Sequence, residues 1–165
     1  MKSDFGKIVR GWVADGWVTL TSGSATDYDY IADDVLKDFE NFDVRMFGYD
    51  PHNSSQFIIN LMKQGISEDK LTPVRQGTTL SGGGKELERL ALKNQIFHNG
   101  NPVIAWMMSN VKVSKDNKDN YKFTKDGTGG KIDGAISLIN AMVLYLELGL
   151  IQEDAFQAPY DLNKL

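Results

Sequence analysis

Val44-Arg45-Met46-Phe47-Gly48-Tyr49-Asp50-Pro51 reads as a β-strand brought to an abrupt end. Valine, phenylalanine and tyrosine favour a pleated, half-buried surface, and Pro51 has no amide hydrogen with which to continue a ladder. Asp50 is thereby left at the carboxyl end of the strand, the edge at which open α/β sheets bind ligands. Beyond the proline the pattern turns helical. Asn53 is the expected cap, with Gln56 three residues on as its capping-box partner. Ile58, Leu61 and Met62 form the core face, and Gly65 supplies the stop. Leu71 to Gln76 is a second short strand, so strand, helix and strand follow one another as in an α/β layout.

Outward from this unit, Phe5 to Asp15 has a weak helical pattern ending near Gly16, and Trp17 to Thr21 alternates like a short strand. Asp27 or Asp29 caps a helix whose apolar face is Ile31, Val35 and Phe39. Downstream, Ser81 to Asn94 is a helix with Leu87, Leu90 and Ala91 inward. Asn101-Pro102 opens a further helix, Val103 to Ser109, with proline at its first position. Trp106, Met107 and Met108 are most simply core. Val111 to Lys125 reads as a β-hairpin with a polar turn at Asp116 to Asn120, and Ile132 to Leu148 as the long final helix. No internal repeat or linker divides the chain. The expected division is one domain over residues 1–150 and a peripheral C-terminal tail over 151–165.

Composition narrows the function classes. The 165 residues suit a single core, and 41% hydrophobic with 24% charged residues marks a globular chain. With no cysteine, disulfides and thiolate–metal sites are excluded. His52 and His98 are too few for a histidine-rich zinc site and read as surface or supporting residues. A metal here would be a hard cation held by carboxylates. No secretory signal opens the sequence, and the most apolar stretch, Ala135 to Leu150, is short for a membrane span and carries Ser137, Asn140 and Glu147. A cytoplasmic location without membrane contact is the default expectation. The net charge is −4, but Val111 to Lys131 holds six lysines against three aspartates. Such a hairpin is either a solvated edge kept from aggregating or a phosphate-contacting surface.

Two carboxylates stand out. Asp133 sits in the first turn of the final helix, where the dipole favours a negative charge whatever the function. Asp133, Ser137 and Asn140 are also spaced i, i+4 and i+7, a polar stripe on an apolar helix that must face water, a partner or a site. Were that stripe to face Asp50, the two carboxylates would repel unless a cation lay between them, an arrangement suited to phosphodiester cleavage. Gly82-Gly83-Gly84-Lys85 fails as a phosphate loop, because Thr79 and Glu86 stand where glycine and Ser/Thr are required. It reads as a flexible loop before a helix.

A series of segments carries more information than any single one. Phe47-Gly-Tyr-Asp-Pro51, Pro73-Val-Arg-Gln-Gly77, Lys85-Glu-Leu-Glu-Arg89, His98-Asn-Gly-Asn-Pro-Val103, Trp106-Met107, Ser109-Asn-Val111 and Lys131-Ile-Asp-Gly134 follow in an order and spacing that resembles the nuclease domain of tailed-phage large terminases. The resemblance runs from about Trp12 to Leu148. It implies an α/β, RNase-H-like mixed sheet flanked by helices, in a protein that cuts concatemeric viral DNA during packaging. It further implies a two-cation Mg²⁺ or Mn²⁺ site on three acidic residues. The second of these maps onto Asp50 and the third onto Asp133. The first belongs to an opening strand expected before Met1, as does the family's packaging ATPase, so the domain reads as N-terminally incomplete. The triglycine before Lys85 departs from the family's usual run.

From the same resemblance the expected partners are double-stranded viral DNA, the small terminase and the portal, in the host cytoplasm as a phage or prophage protein. Lys131 at the mouth of the final helix is the expected phosphate contact, extended by Lys112 and Lys115. The alternative is a catalytically inactive, terminase-derived module that docks on packaging components. A resolvase or transposase of the same fold is disfavoured by the Asn-Pro-Val and Trp-Met segments. Without its opening strands, the Val44 to Tyr49 edge should be covered by Trp17 to Thr21 folding back, or by a second copy in a homodimer.

Overall fold

The computed structural model describes residues 2–127 and 129–149. Helix α1 spans Lys2–Ala14 and α2 Tyr28–Asn41, with Asp27 as its cap accepting from the Tyr30 amide. Strand β1 is Phe47–Tyr49, followed by α3, Ser55–Lys63, and β2, Leu71–Pro73. Then come α4, Leu80–Leu92, α5, Pro102–Ser109, the hairpin strands β3, Val111–Lys115, and β4, Tyr121–Lys125, and finally α6, Asp133–Glu147. The expected tail, 151–165, lies outside the described residues.

Strands and helices thus alternate as read, but the pairing is divided between two small sheets. β1 and β2 are parallel, with Phe47 opposite Leu71 and Tyr49 opposite Pro73. β3 and β4 are antiparallel, with Val113 opposite Phe123. β1 separates two cores by strand alternation. Phe47 and Tyr49 pack on Ala32, Ile58, Leu61, Ile66 and Leu71, between α2, α3 and the strands. Met46 packs on the other side, against Val74, Leu80, Leu87, Ile139, Val143 and Leu144. Gly48 faces that second core, where α6 comes so close that a Cβ would lie 2.8 Å from Leu144 Cδ1. α6 is therefore seated directly on the strand that ends at Asp50.

Several expectations are corrected. Trp17 to Thr21 forms no strand: Gly16, at φ +77°, turns the chain back, and the amides of Trp17 and Val18 both donate to the Trp12 carbonyl (2.7 and 3.3 Å). It does not cover β1, whose outer edge carries no strand among the described residues. β1 is also shorter than the expected Val44 to Tyr49, because Val44 is held in a tight turn by Phe42 O (2.9 Å). Asn53 does not cap α3. It sits at φ +60°, and Ser54, the residue before the helix, spends its hydroxyl on the Asp50 carbonyl (2.5 Å). In α2 the buried residue is Ala32, while Ile31 is exposed. Ala91 and Met108 are exposed rather than core, and Leu90 is half-buried.

The glycine run lies inside α4, as the Ser81 to Asn94 helix reading has it, which overturns its reading as a flexible loop before the helix. α4 and α6 pack so tightly that a Cβ on Gly83 would meet Ile139 O at 2.7 Å and Val143 N at 2.9 Å, and one on Gly84 would strike the Phe123 ring. These glycines are present for close approach, not for flexibility. Trp106 packs against Phe5 (centroids 5.0 Å) and Trp12 (5.7 Å), which fastens α1 to α5.

Candidate functional site

Asp50 follows the last residue of β1 directly and is half-buried. Its Oδ1 accepts from the His52 amide at 2.9 Å, and its carbonyl accepts from Ser54 Oγ. These two bonds fix both the carboxylate and the turn into α3. The parallel ladder continues one step past β2, with Val74 N donating to Tyr49 O at 2.7 Å, so both chains leave the sheet at the same end. There a shallow cleft, wide open to solvent, is lined by Asp50, Pro51, His52, Arg75 and Gln76. Its position is the one expected for a ligand site in an α/β sheet. Sequence reasoning placed Asp50 but passed over Arg75 and Gln76. The usable signal was the Pro73-Val-Arg-Gln-Gly77 segment, because parallel pairing puts the end of β2 beside the end of β1.

Asp133 lies in the first turn of α6, exposed, and outside the lining of that cleft. The approach to it is held from α5. Asn110, only 8% exposed, donates from Nδ2 to Lys131 O at 3.0 Å and packs so tightly on Gly130 that no Cβ fits there. One turn on, the Gly134 amide donates to Met107 Sδ at 3.1 Å, and a Cβ on Gly134 would lie 2.6 Å from Ile104 Cδ1. Ile104, Met107 and Asn110 recur every three residues along α5, so one face of that helix cradles the start of α6. The polar stripe divides: Ser137 Oγ donates to Asp133 O at 3.0 Å within its own helix, while Asn140 is 8% exposed and its Oδ1 has no hydrogen-bond partner.

The three lysines differ in their freedom. The side chains of Lys131 and Lys112 are exposed and form no hydrogen bond or ion pair with the described residues. Lys115 is bound to Asp119 at 2.9 Å and lies over the Tyr121 ring at 5.5 Å. The hydrogen bond that Lys115 donates to Asp119 raises the Lys115 pKa above its ordinary value. Three residues apart on one strand, Lys112 and Lys115 face opposite sides of the hairpin. The Lys115 side lies toward α4, where Lys85 also reaches Asp119 (3.7 Å) and Tyr121 N donates to Ser81 Oγ (2.9 Å). The turn is held by Asp116, whose pKa is lowered by hydrogen bonds from the Asn120 side chain, the Asn120 amide and the Lys118 amide.

Two carboxylates are donors of the right kind for a hard cation that keeps several waters. The described residues contain no group of three or more His, Cys, Asp or Glu arranged to hold a metal.

The sequence profile of the family described as terminase large subunit, endonuclease domain, matches residues 2–148. The terminase large subunit of Enterobacteria phage HK97 is 29% identical over 128 residues, covering 77% of this chain and 25% of that protein. Protein YmfN of Escherichia coli strain K12 is 31% identical over 133 residues, covering 79% of this chain and 29% of that protein. The crystal structure of the HK97 bacteriophage large terminase superposes with a TM-score of 0.74 at 26% identity, over 82% of this chain and 28% of that one. The chain thus spans between a quarter and three tenths of the length of these relatives, and the fold is α/β and RNase-H-like. It belongs to the terminase large-subunit endonuclease-domain family.

Proposed function

We propose that this domain is the nuclease module of a phage DNA-packaging terminase, a metal-dependent endonuclease for concatemeric double-stranded viral DNA in the host cytoplasm. The observation that carries the reading is Asp50, held at the carboxyl end of a parallel strand pair and open to a cleft, within a chain matched by the family over residues 2–148. Asp50 and Asp133 are the ligands for Mg²⁺ or Mn²⁺. A cation held by them would supply an activated water and offset charge on the phosphate. The chain's own residues do the positioning. His52 N orients the Asp50 carboxylate, Asn110 fixes the strand of chain that delivers Asp133, and Lys131 with Lys112 offers charge to the DNA backbone. The packaging partners are the small terminase and the portal, and a second copy paired along β1 remains a cover for its outer edge.

Calorimetric titration with Mn²⁺ tests the ligand assignment. Weak binding, with a dissociation constant well above micromolar, is expected, and either Asp50→Asn or Asp133→Asn should abolish it. Tight, submicromolar binding that survives Asp50→Asn would contradict the reading. The absence of a third clustered carboxylate among the described residues favours a second reading, an inactive docking module. That module would retain its packaging partners while leaving supercoiled plasmid uncut in Mn²⁺.

A further inference from the structure

The cleft beside Asp50 contains a cation that the lysine surface does not account for. Arg75 lies two residues past β2 and lines the same cleft as Asp50, His52 and Gln76. It is exposed and makes no hydrogen bond or ion pair with the described residues. This distinguishes it from Arg45, tied to Asp43 at 2.8 Å, and from Arg89, whose Nε and Nη2 grip Glu86 at 2.8 and 2.6 Å. The carboxylate that shares its cleft is turned to the His52 amide instead. Nor is Gln76 a partner, since its Nε2 reaches back to Val74 O at 3.4 Å.

A guanidinium without a carboxylate partner, at the mouth of a cleft, presents a planar fork of donors that matches two phosphate oxygens. It also answers an electrostatic difficulty. A phosphodiester approaching Asp50 meets a like charge, and a neighbouring fixed cation offsets that repulsion where the two must come together. We propose that Arg75 binds a backbone phosphate of duplex DNA within the Asp50 cleft, making it a substrate-binding residue of the site itself, separate from the lysines of the hairpin. The proposal rests on the nuclease reading of Asp50. It commits the cleft to nucleic-acid backbone, with no base recognition.

The test is binding of a fluorescein-labelled 20-base-pair duplex by the full chain, read by anisotropy in EDTA at several salt concentrations, so that no metal contributes. Losing one phosphate contact reduces the slope of log K against log salt by about 1, which is an affinity loss of roughly tenfold at 0.1 M salt. Arg75→Ala should show both effects, uniformly across duplex sequences. Arg75→Lys should restore most of the slope but only part of the affinity, because the charge returns without the fork. Arg45→Ala, which removes a guanidinium already paired with Asp43, should bind like the parent chain. Circular dichroism melts establish that each variant is folded. If the parent chain binds the duplex and Arg75→Ala binds it equally well with the same slope, the Arg75 assignment is overturned and the nuclease reading stands. If the parent chain shows no salt-dependent duplex binding at all, the nuclease reading falls and this proposal falls with it.

Discussion

Asn110 decides where Asp133 sits, although 23 positions separate them in the sequence. Its side chain bonds Lys131 O, its bulk packs on Gly130, and its own carbonyl accepts from the Asp126 amide at 3.0 Å, so one buried residue ties α5, the hairpin and the start of α6. Asn110→Ala leaves a half-buried carbonyl unpaired and should cost about 1–3 kcal/mol in a denaturant melt. Hydrogen exchange should accelerate at the amides of α6's first turn before it does at α4. Equal protection at both would show that Asn110 does not hold the turn. None of this could be read from Ser109-Asn-Val111, because the partner carbonyl is brought near only by tertiary folding. Asp50 was legible for the opposite reason. An apolar strand stopped by proline leaves its carboxylate at the sheet edge, a local inference that needs no partner. Arg75 fell between the two, legible as a residue past a strand but not as a neighbour of Asp50 until the parallel register was known.

The elements repeat that lesson. Asp27 and Asn101 were readable as caps because a cap's partners lie two or three residues on: Asn101 Oδ1 accepts from Val103 N at 2.9 Å and Ile104 N at 3.2 Å. The hairpin was readable from its alternation and polar turn. Trp17 to Thr21 has strand-like alternation too, but alternation supplies no partner strand, and Gly16 turns the chain into the end of α1. The glycines of α4 misled because sequence alone cannot separate glycine needed for a positive φ from glycine needed for close approach. Two neighbouring substitutions should therefore have opposite signs. Gly82→Ala meets only Leu146 Cδ1 at 3.8 Å, an ordinary contact, and should stabilise the fold by about 0.5–1 kcal/mol through helix propensity. Gly83→Ala drives a methyl into the backbone of α6 and should cost about 1–3 kcal/mol net. Chemical denaturation of the two variants decides the matter, and a stabilising Gly83→Ala would mean that α4 and α6 lie farther apart than described.

At the scale of the whole molecule, β1 lies between two apolar cores, and the carboxylate ending it shares the sheet edge with Arg75. α6 crosses the same strand through Leu144 on Gly48 and begins at Asp133, where α5 steadies it. The nuclease reading requires Asp50 and Asp133 to serve one divalent cation, since either alone is an ordinary turn or helix-start carboxylate. Titration of the isotopically labelled chain with substoichiometric Mn²⁺, followed by paramagnetic broadening of amide resonances, tests this directly. The amides of His52 and Gly134 should broaden together at the same metal concentration, and Asp50→Asn should relieve both at once. Broadening confined to one of the two, or persisting at Gly134 in Asp50→Asn, would contradict the account by showing two unconnected carboxylates in place of one site.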